Sequence, residues 1–135
     1  YGRAGPRTVR ALIERGMEMV VVDEDAGVIR QLIAKDIPCV QGDGSDIQTL
    51  ERAHCREAKV VFCSIRRTGD ARLALEYLKD SDTKVLVRVF EPFEEEIVRK
   101  AGGLPVVTAY ASASQFLDWV DVNLATDEEE PGASA

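Results

Sequence analysis

Gly2-Arg3-Ala4-Gly5 stands at the head of the chain, and glycines at this spacing let a backbone turn tightly and approach a phosphate. The segment behind it, PRTVRALIERG, has helical period, with Val9, Leu12 and Ile13 on one face and Gly16 at its end. A helix N-terminus offers unpaired N–H groups and a positive dipole end, which favour an anion. Asp23 lies 21 residues after Gly2, at the end of an apolar run, where a carboxylate can accept hydrogen bonds from ribose hydroxyls. Glu24 and Asp25 follow it, with no arginine beside them to receive a 2′-phosphate. These groups suit NAD(H) or an adenine nucleotide (ATP, ADP or AMP) rather than NADP. The competing role for Asp23 is to cap the next helix.

GDGSD, residues 42–46, is the second cluster. Asp43 and Ser45 are short polar groups that can meet an adenine or a ribose. They can equally supply the turn and the N-cap of the helix that follows, IQTLERA. Ser64 closes the most apolar run of the chain and precedes a basic pair, Arg66 and Arg67, which can face phosphates or solvent. Arg88 interrupts the apolar run VLVRVF. A charge inside a central strand is costly unless it is paired, so Arg88 is expected to reach a phosphate or a carboxylate such as Asp43. His54 is the one histidine of the chain and reads as a loop residue beside Cys55, not as a metal ligand. Neither a His–Asp nor a Tyr–Lys acid–base pair falls near these groups, so no catalytic residue is assigned and the chain is read as a non-enzyme.

The elements that must carry these residues alternate regularly. MEMVVVD (17–23), PCVQGD (38–43), AKVVFCSI (58–65), KVLVRVF (84–90) and LPVVTAY (104–110) read as strands. The segments between them have helical spacing: AGVIRQLIAKD, IQTLERA, DARLALEYLKD with Leu73, Tyr77 and Leu78 on one side, EPFEEEIVRKAG, and finally ASASQFLDWVDVNLA. Strand followed by helix, five times over, is the pattern of a parallel sheet with crossover helices on its faces. The runs VVV, VVF and VLV are continuous rather than alternating, and AKVVFCSI is expected to be buried on both faces. The fold class is α/β, a doubly wound parallel sheet in three layers. The helix after Gly5 also needs a strand before it, so the first, central strand is expected ahead of Tyr1.

Composition limits what such a domain can do. A chain of 135 residues with 45% hydrophobic residues fits one domain with a real core. The net charge of −7 argues against non-specific binding to nucleic acid or to an anionic membrane. Residues 126–135, TDEEEPGASA, read as a disordered acidic tail behind an ordered domain of residues 1–125. No apolar run approaches the roughly 18 residues that a membrane-spanning helix needs. Cys39, Cys55 and Cys63 form an odd set without CxxC spacing, as expected of reduced thiols in a cytosolic compartment.

YGRAG, VVVDED, QGDGSD, AKVVFCSI and VLVRVFEP occur in the order and spacing of the N-terminal RCK domain, also called KTN or TrkA-N, and the resemblance covers about residues 1–125. The family comprises regulatory domains of potassium channels, Trk-type uptake systems and Kef-type potassium/proton antiporters. The resemblance implies a six-stranded Rossmann-like fold with NAD(H), ATP, ADP or AMP in its cleft. It also implies a homodimer or larger ring at the cytoplasmic face of a membrane, linked to a channel or transporter. Carried over by position, Gly2, Arg3 and Gly5 would cradle phosphate, and Asp23 would hold the ribose. Asp43 and Gly44 would border the adenine, and Arg88 would approach the phosphates or the partner subunit. Ala4, Glu24 and Ser64 are counted with them among the cofactor-binding residues.

Overall fold

Short β-branched runs and helical segments alternate in space as they do in sequence. The computed structural model describes residues 5–64 and 68–124. In chain order these form α1 (Gly5–Glu14), β1 (Val21–Asp23), α2 (Ala26–Ala34), β2 (Cys39–Gln41), α3 (Ile47–Arg52) and a 3-10 turn (Cys55–Glu57). There follow β3 (Val60–Cys63), α4 (Thr68–Leu78), β4 (Lys84–Val89), α5 (Glu94–Lys100), β5 (Leu104–Val107) and α6 (Thr108–Leu124). Every strand pair is parallel, so helices carry the chain back after each strand. This is a Rossmann-like α/β arrangement.

Among the described residues the ladder is broken into two sheets, β1-β2 and β3-β4-β5. The strand expected ahead of α1, the turn residues Gly2, Arg3 and Ala4, the pair Arg66 and Arg67, and the acidic tail lie outside the described residues.

The main core fills the space between the three-stranded sheet and the helices that cross it. Val85, Val87 and Val89 of β4 meet Ala74, Leu75 and Leu78 of α4 and Val98 of α5, all buried. Gly103 lets α4 and α5 close over β4: a Cβ there would sit 2.9 Å from Leu75 and from Val98.

Three expectations are corrected here. The strand at AKVVFCSI is not buried on both faces, since Val60 and Phe62 are 50% and 43% exposed while Cys63 is buried. Side chains alternate across a strand, and among the described residues β3 has a hydrogen-bonded neighbour on one side only. On α4, Leu73 faces outward and the buried stripe is Ala71, Ala74, Leu75 and Leu78. Small residues mark that face because the helix lies close to the sheet, so the larger side chains misidentified it. The first apolar run is also shorter as a strand than expected, beginning at Val21 rather than Met17.

Candidate functional site

β1 and β2 end side by side, because Asp23 lies opposite Gln41 in a parallel register. The loops that follow therefore leave from one edge. Two bonds join them: the Gly42 N–H donates to the Asp23 carbonyl at 3.0 Å, and the Gln41 amide donates to the Glu24 carbonyl at 3.4 Å. The two acidic stretches singled out by sequence, Asp23-Glu24 and Asp43-Gly44, thus form one rim.

The cap of α2 is Asp25, not Asp23. Asp25 Oδ1 accepts from the N–H groups of Gly27 and Val28 at 2.6 and 3.1 Å. Asp23 Oδ1 accepts from the Asp25 N–H at 2.9 Å. Partial burial pushes the Asp23 carboxyl up, and hydrogen bonds from the Asp25 and Glu24 N–H groups oppose it. It lies at the carboxyl end of β1, beside the exposed Glu24.

The second loop divides its labour in the same way. Asp46 caps α3, its Oδ2 accepting from the Thr49 N–H at 3.1 Å and the Thr49 hydroxyl at 3.0 Å. Asp43 Oδ1 accepts from the Ser45 N–H at 2.8 Å and the Ser45 hydroxyl at 2.7 Å, which lowers its pKa. Ser45 therefore serves Asp43 rather than α3. Gly44 lies half-buried between them. Gly42 is required by packing: a Cβ would run into the Thr49 hydroxyl and sit 2.8 Å from the Thr49 methyl. Thr49 is 2% exposed and β-branched, so it has no room to yield.

Arg88 lies on the other sheet, one residue past the Cys63–Val87 pair and so beside Ser64. It does not reach Asp43. Its Nη2 donates to the Ser64 carbonyl at 2.9 Å, and its guanidinium stands 5.0 Å from the centre of the Phe90 ring. Its Nε is buried without a hydrogen-bond partner among the described residues. Phe90 is held in turn by its backbone, since Glu94 Oε2 accepts from the N–H groups of Phe90 and Glu91, both at 3.0 Å.

Gly5 opens α1, whose single buried residue is Val9. His54 lies in a left-handed turn, 3.8 Å from Glu57, with its side chain 75% exposed. Among the described residues no group of three His, Cys, Asp or Glu side chains is placed to hold a metal ion. The three cysteines are free, and burial pushes the Cys63 thiol up to about 11 with a further push from Cys55.

The model of the TrkA-N domain family matches residues 1–109. The chain belongs to the TrkA-N domain family. This TrkA-N domain is 26% identical over 119 residues to the Trk system potassium uptake protein TrkA homolog of Methanothermobacter thermautotrophicus, covering 87% of the chain and 55% of the relative. It therefore spans about half the length of the curated relative that it matches. Among solved structures it is similar to the NAD(P)-binding domain of an exopolyphosphatase-related protein from Archaeoglobus fulgidus, with 26% identity and a TM-score of 0.78 over 87% of this chain and 90% of the other. It is also similar to the GsuK channel bound to NAD, with 25% identity and a TM-score of 0.66 over 75% of this chain and 19% of the channel. The matched stretch of the TrkA-N domain contains every residue assigned to the cleft, from Gly2 to Arg88. No helix among the described residues is long and apolar enough to cross a membrane.

Four participants escaped the sequence reading. Gln41, Thr49 and Arg52 brace the second acidic loop, and Phe90 lies against Arg88. None carries a motif, because each acts through a backbone carbonyl or a packing contact that depends on the fold.

Proposed function

We propose that this TrkA-N domain is a nucleotide-sensing regulatory module of a potassium transport protein, whether a Kef-type antiporter, a Trk system or a channel. The observation that carries the reading is the shared rim at the carboxyl ends of β1 and β2. There Asp23 accepts from the Asp25 N–H, Asp43 accepts from the Ser45 N–H and hydroxyl, and Gly42 ties one loop to the other. In open α/β sheets ligands bind at this edge. Asp23, with Glu24 beside it, accepts hydrogen bonds from ribose hydroxyls, and Asp43 with Gly44 borders the adenine. Arg88, whose Nε lacks a partner among the described residues, faces the phosphates beside Ser64. Gly2, Arg3, Ala4 and Gly5 are the residues to which this reading gives the phosphates. The ligand is NAD(H), ATP, ADP or AMP, in keeping with the NAD carried by the similar channel. No residue of this set is catalytic.

A bound nucleotide regulates only by as much as its affinities for two states differ. The two states here are two geometries of a homodimer or larger ring. Support for association comes from α6, none of whose residues is buried. Its Tyr110, Phe116, Leu117, Trp119, Val122 and Leu124 are each more than half exposed, an apolar surface of the kind that marks an interface. The rest of the polypeptide, or an associated subunit, supplies the membrane gate on whose cytoplasmic face the ring works.

The test is thermal unfolding with NAD⁺, NADH, ATP, ADP, AMP and NADPH. A specific nucleotide at one hundred times its Kd is expected to stabilise the domain by about 2.7 kcal/mol, which is several degrees in Tm. Absence of a shift with every one of them overturns the sensing role and leaves an assembly module with an empty cleft.

A further inference from the structure

Arg52 closes α3, and its side chain reaches back to the strand that precedes that helix. Its Nη2 donates to the Gln41 carbonyl at 2.9 Å and to the Thr49 hydroxyl at 3.4 Å. Gln41 is the junction of the whole rim. Its side chain donates to the Glu24 carbonyl, and the next residue, Gly42, donates to the Asp23 carbonyl. Asp43 follows at once, its carboxylate aimed by Ser45. Thr49 in turn binds the Asp46 carboxylate, so Arg52 bonds to residues on either side of the 42–46 loop, Gln41 before it and Thr49 after it. The space left open by Gly42 is filled by Thr49 and Arg52 together, since a Cβ there would lie 2.9 Å from the Arg52 guanidinium.

We propose that Arg52 is the positioning residue of nucleoside recognition, bracing Gln41 and Gly42 so that the Asp43 carboxylate stands at the base edge of a bound adenine nucleotide. The inference rests on the reading that Asp43 borders the adenine. Arg52 does not itself touch the ligand. It acts because a guanidinium offers several donors in a rigid fork, here shared between one carbonyl and one hydroxyl. An unbraced loop could still bind phosphate and ribose, but would lose its preference for the base edge.

The readout is a ratio: the affinity for AMP over that for the analogue lacking the 6-amino group, by calorimetry on the full chain. Loss of one charge-assisted hydrogen bond is about tenfold or more, so the parent protein is expected to prefer AMP by at least that factor. Asp43→Ala brings the ratio close to one. Arg52→Ala and Arg52→Met, the second keeping the aliphatic stem, are expected to do the same while retaining affinity for the analogue. Arg52→Lys, with one donor left for the Gln41 carbonyl, restores most of the preference. The double variant Asp43→Ala, Arg52→Ala discriminates no worse than either single one. If both Arg52 variants keep the preference that Asp43→Ala abolishes, Arg52 is merely structural and the proposal fails while the Asp43 reading stands. If the parent protein does not bind AMP, or binds both nucleotides equally, the Asp43 reading falls and the Arg52 proposal falls with it.

Discussion

The two sheets of this domain are assembled from the same strand–helix unit, yet they differ in what lies beneath them. The three-stranded sheet carries the main core, with Val87, Val89, Ala74 and Val98 all at or below 1% exposure. The two-stranded sheet has only half-buried positions in β1, and its deep contacts come from Ile29 and Leu32 of α2. The thinner unit nevertheless carries both acidic loops. It holds them by hydrogen bonds to backbone and by caps, where the thicker unit relies on apolar packing. A rim fixed by local bonds can keep its geometry on a modest core, at the cost of opening more easily than its neighbour.

That contrast can be broken most forcefully in the cores themselves. Leu78 and Leu32 are 2% and 1% exposed, one on each side of the divide. Replacing either by alanine removes the same atoms, with an expected cost of about 2–5 kcal/mol if the site is fully cooperative with the fold. Leu78→Ala is expected to lower the global Tm by the larger amount. Leu32→Ala is expected to act first on amide exchange in β1 and β2, with a smaller effect on Tm. Equal global losses with uniform exchange would show one cooperative unit and dissolve the distinction between the sheets.

Next in size is Gly42→Ala, which forces a methyl against the buried Thr49. Overpacking of this kind costs about 1–3 kcal/mol, and the loss is expected in the exchange of the 42–46 loop and in nucleotide affinity together. Gly69→Ala is the control, because nothing lies within 4 Å of the Cβ it would add. If Gly42→Ala is as silent as the control, packing does not dictate that glycine.

The smallest effects are in the pH dependence, and the two sheets should sit at opposite ends of it. Asp43 has its pKa lowered in the folded state by the Ser45 N–H and hydroxyl. Its contribution is present above the unfolded value of 3.8 and is lost as the pH falls through the folded value, so acid weakens the β1-β2 unit. Cys63 is shifted the other way, from 9.0 to about 11. The unfolded thiol releases its proton first as pH rises, so stability falls between pH 9 and 11 and the loss belongs to β3. Urea melts of Asp43→Asn and Cys63→Ala across this range check both ends. Asp43→Asn is expected to flatten the acid limb and Cys63→Ala the alkaline one.

The sequence by itself determined the order of elements, the parallel sheet and the positions of the acidic clusters. These depend on local propensity and on the period of apolar residues, which a linear pattern records directly. It also narrowed Asp23, Asp43 and Ser45 to a few polar roles, and assigned no role to Asp25 or Asp46. Only the tertiary structure gave the caps to Asp25 and Asp46 and placed Asp23 and Asp43 at the rim. The reason is geometric: a cap needs one backbone angle and one N–H within reach, and residue type does not reveal which of several neighbouring carboxylates satisfies both. The buried face of α4, the exposed side of β3, the Phe90 ring beside Arg88 and the Arg52 brace likewise depend on what stands opposite. Such partners are distant in sequence or act through carbonyl oxygens that every residue carries, and so they leave no mark on the pattern of side chains.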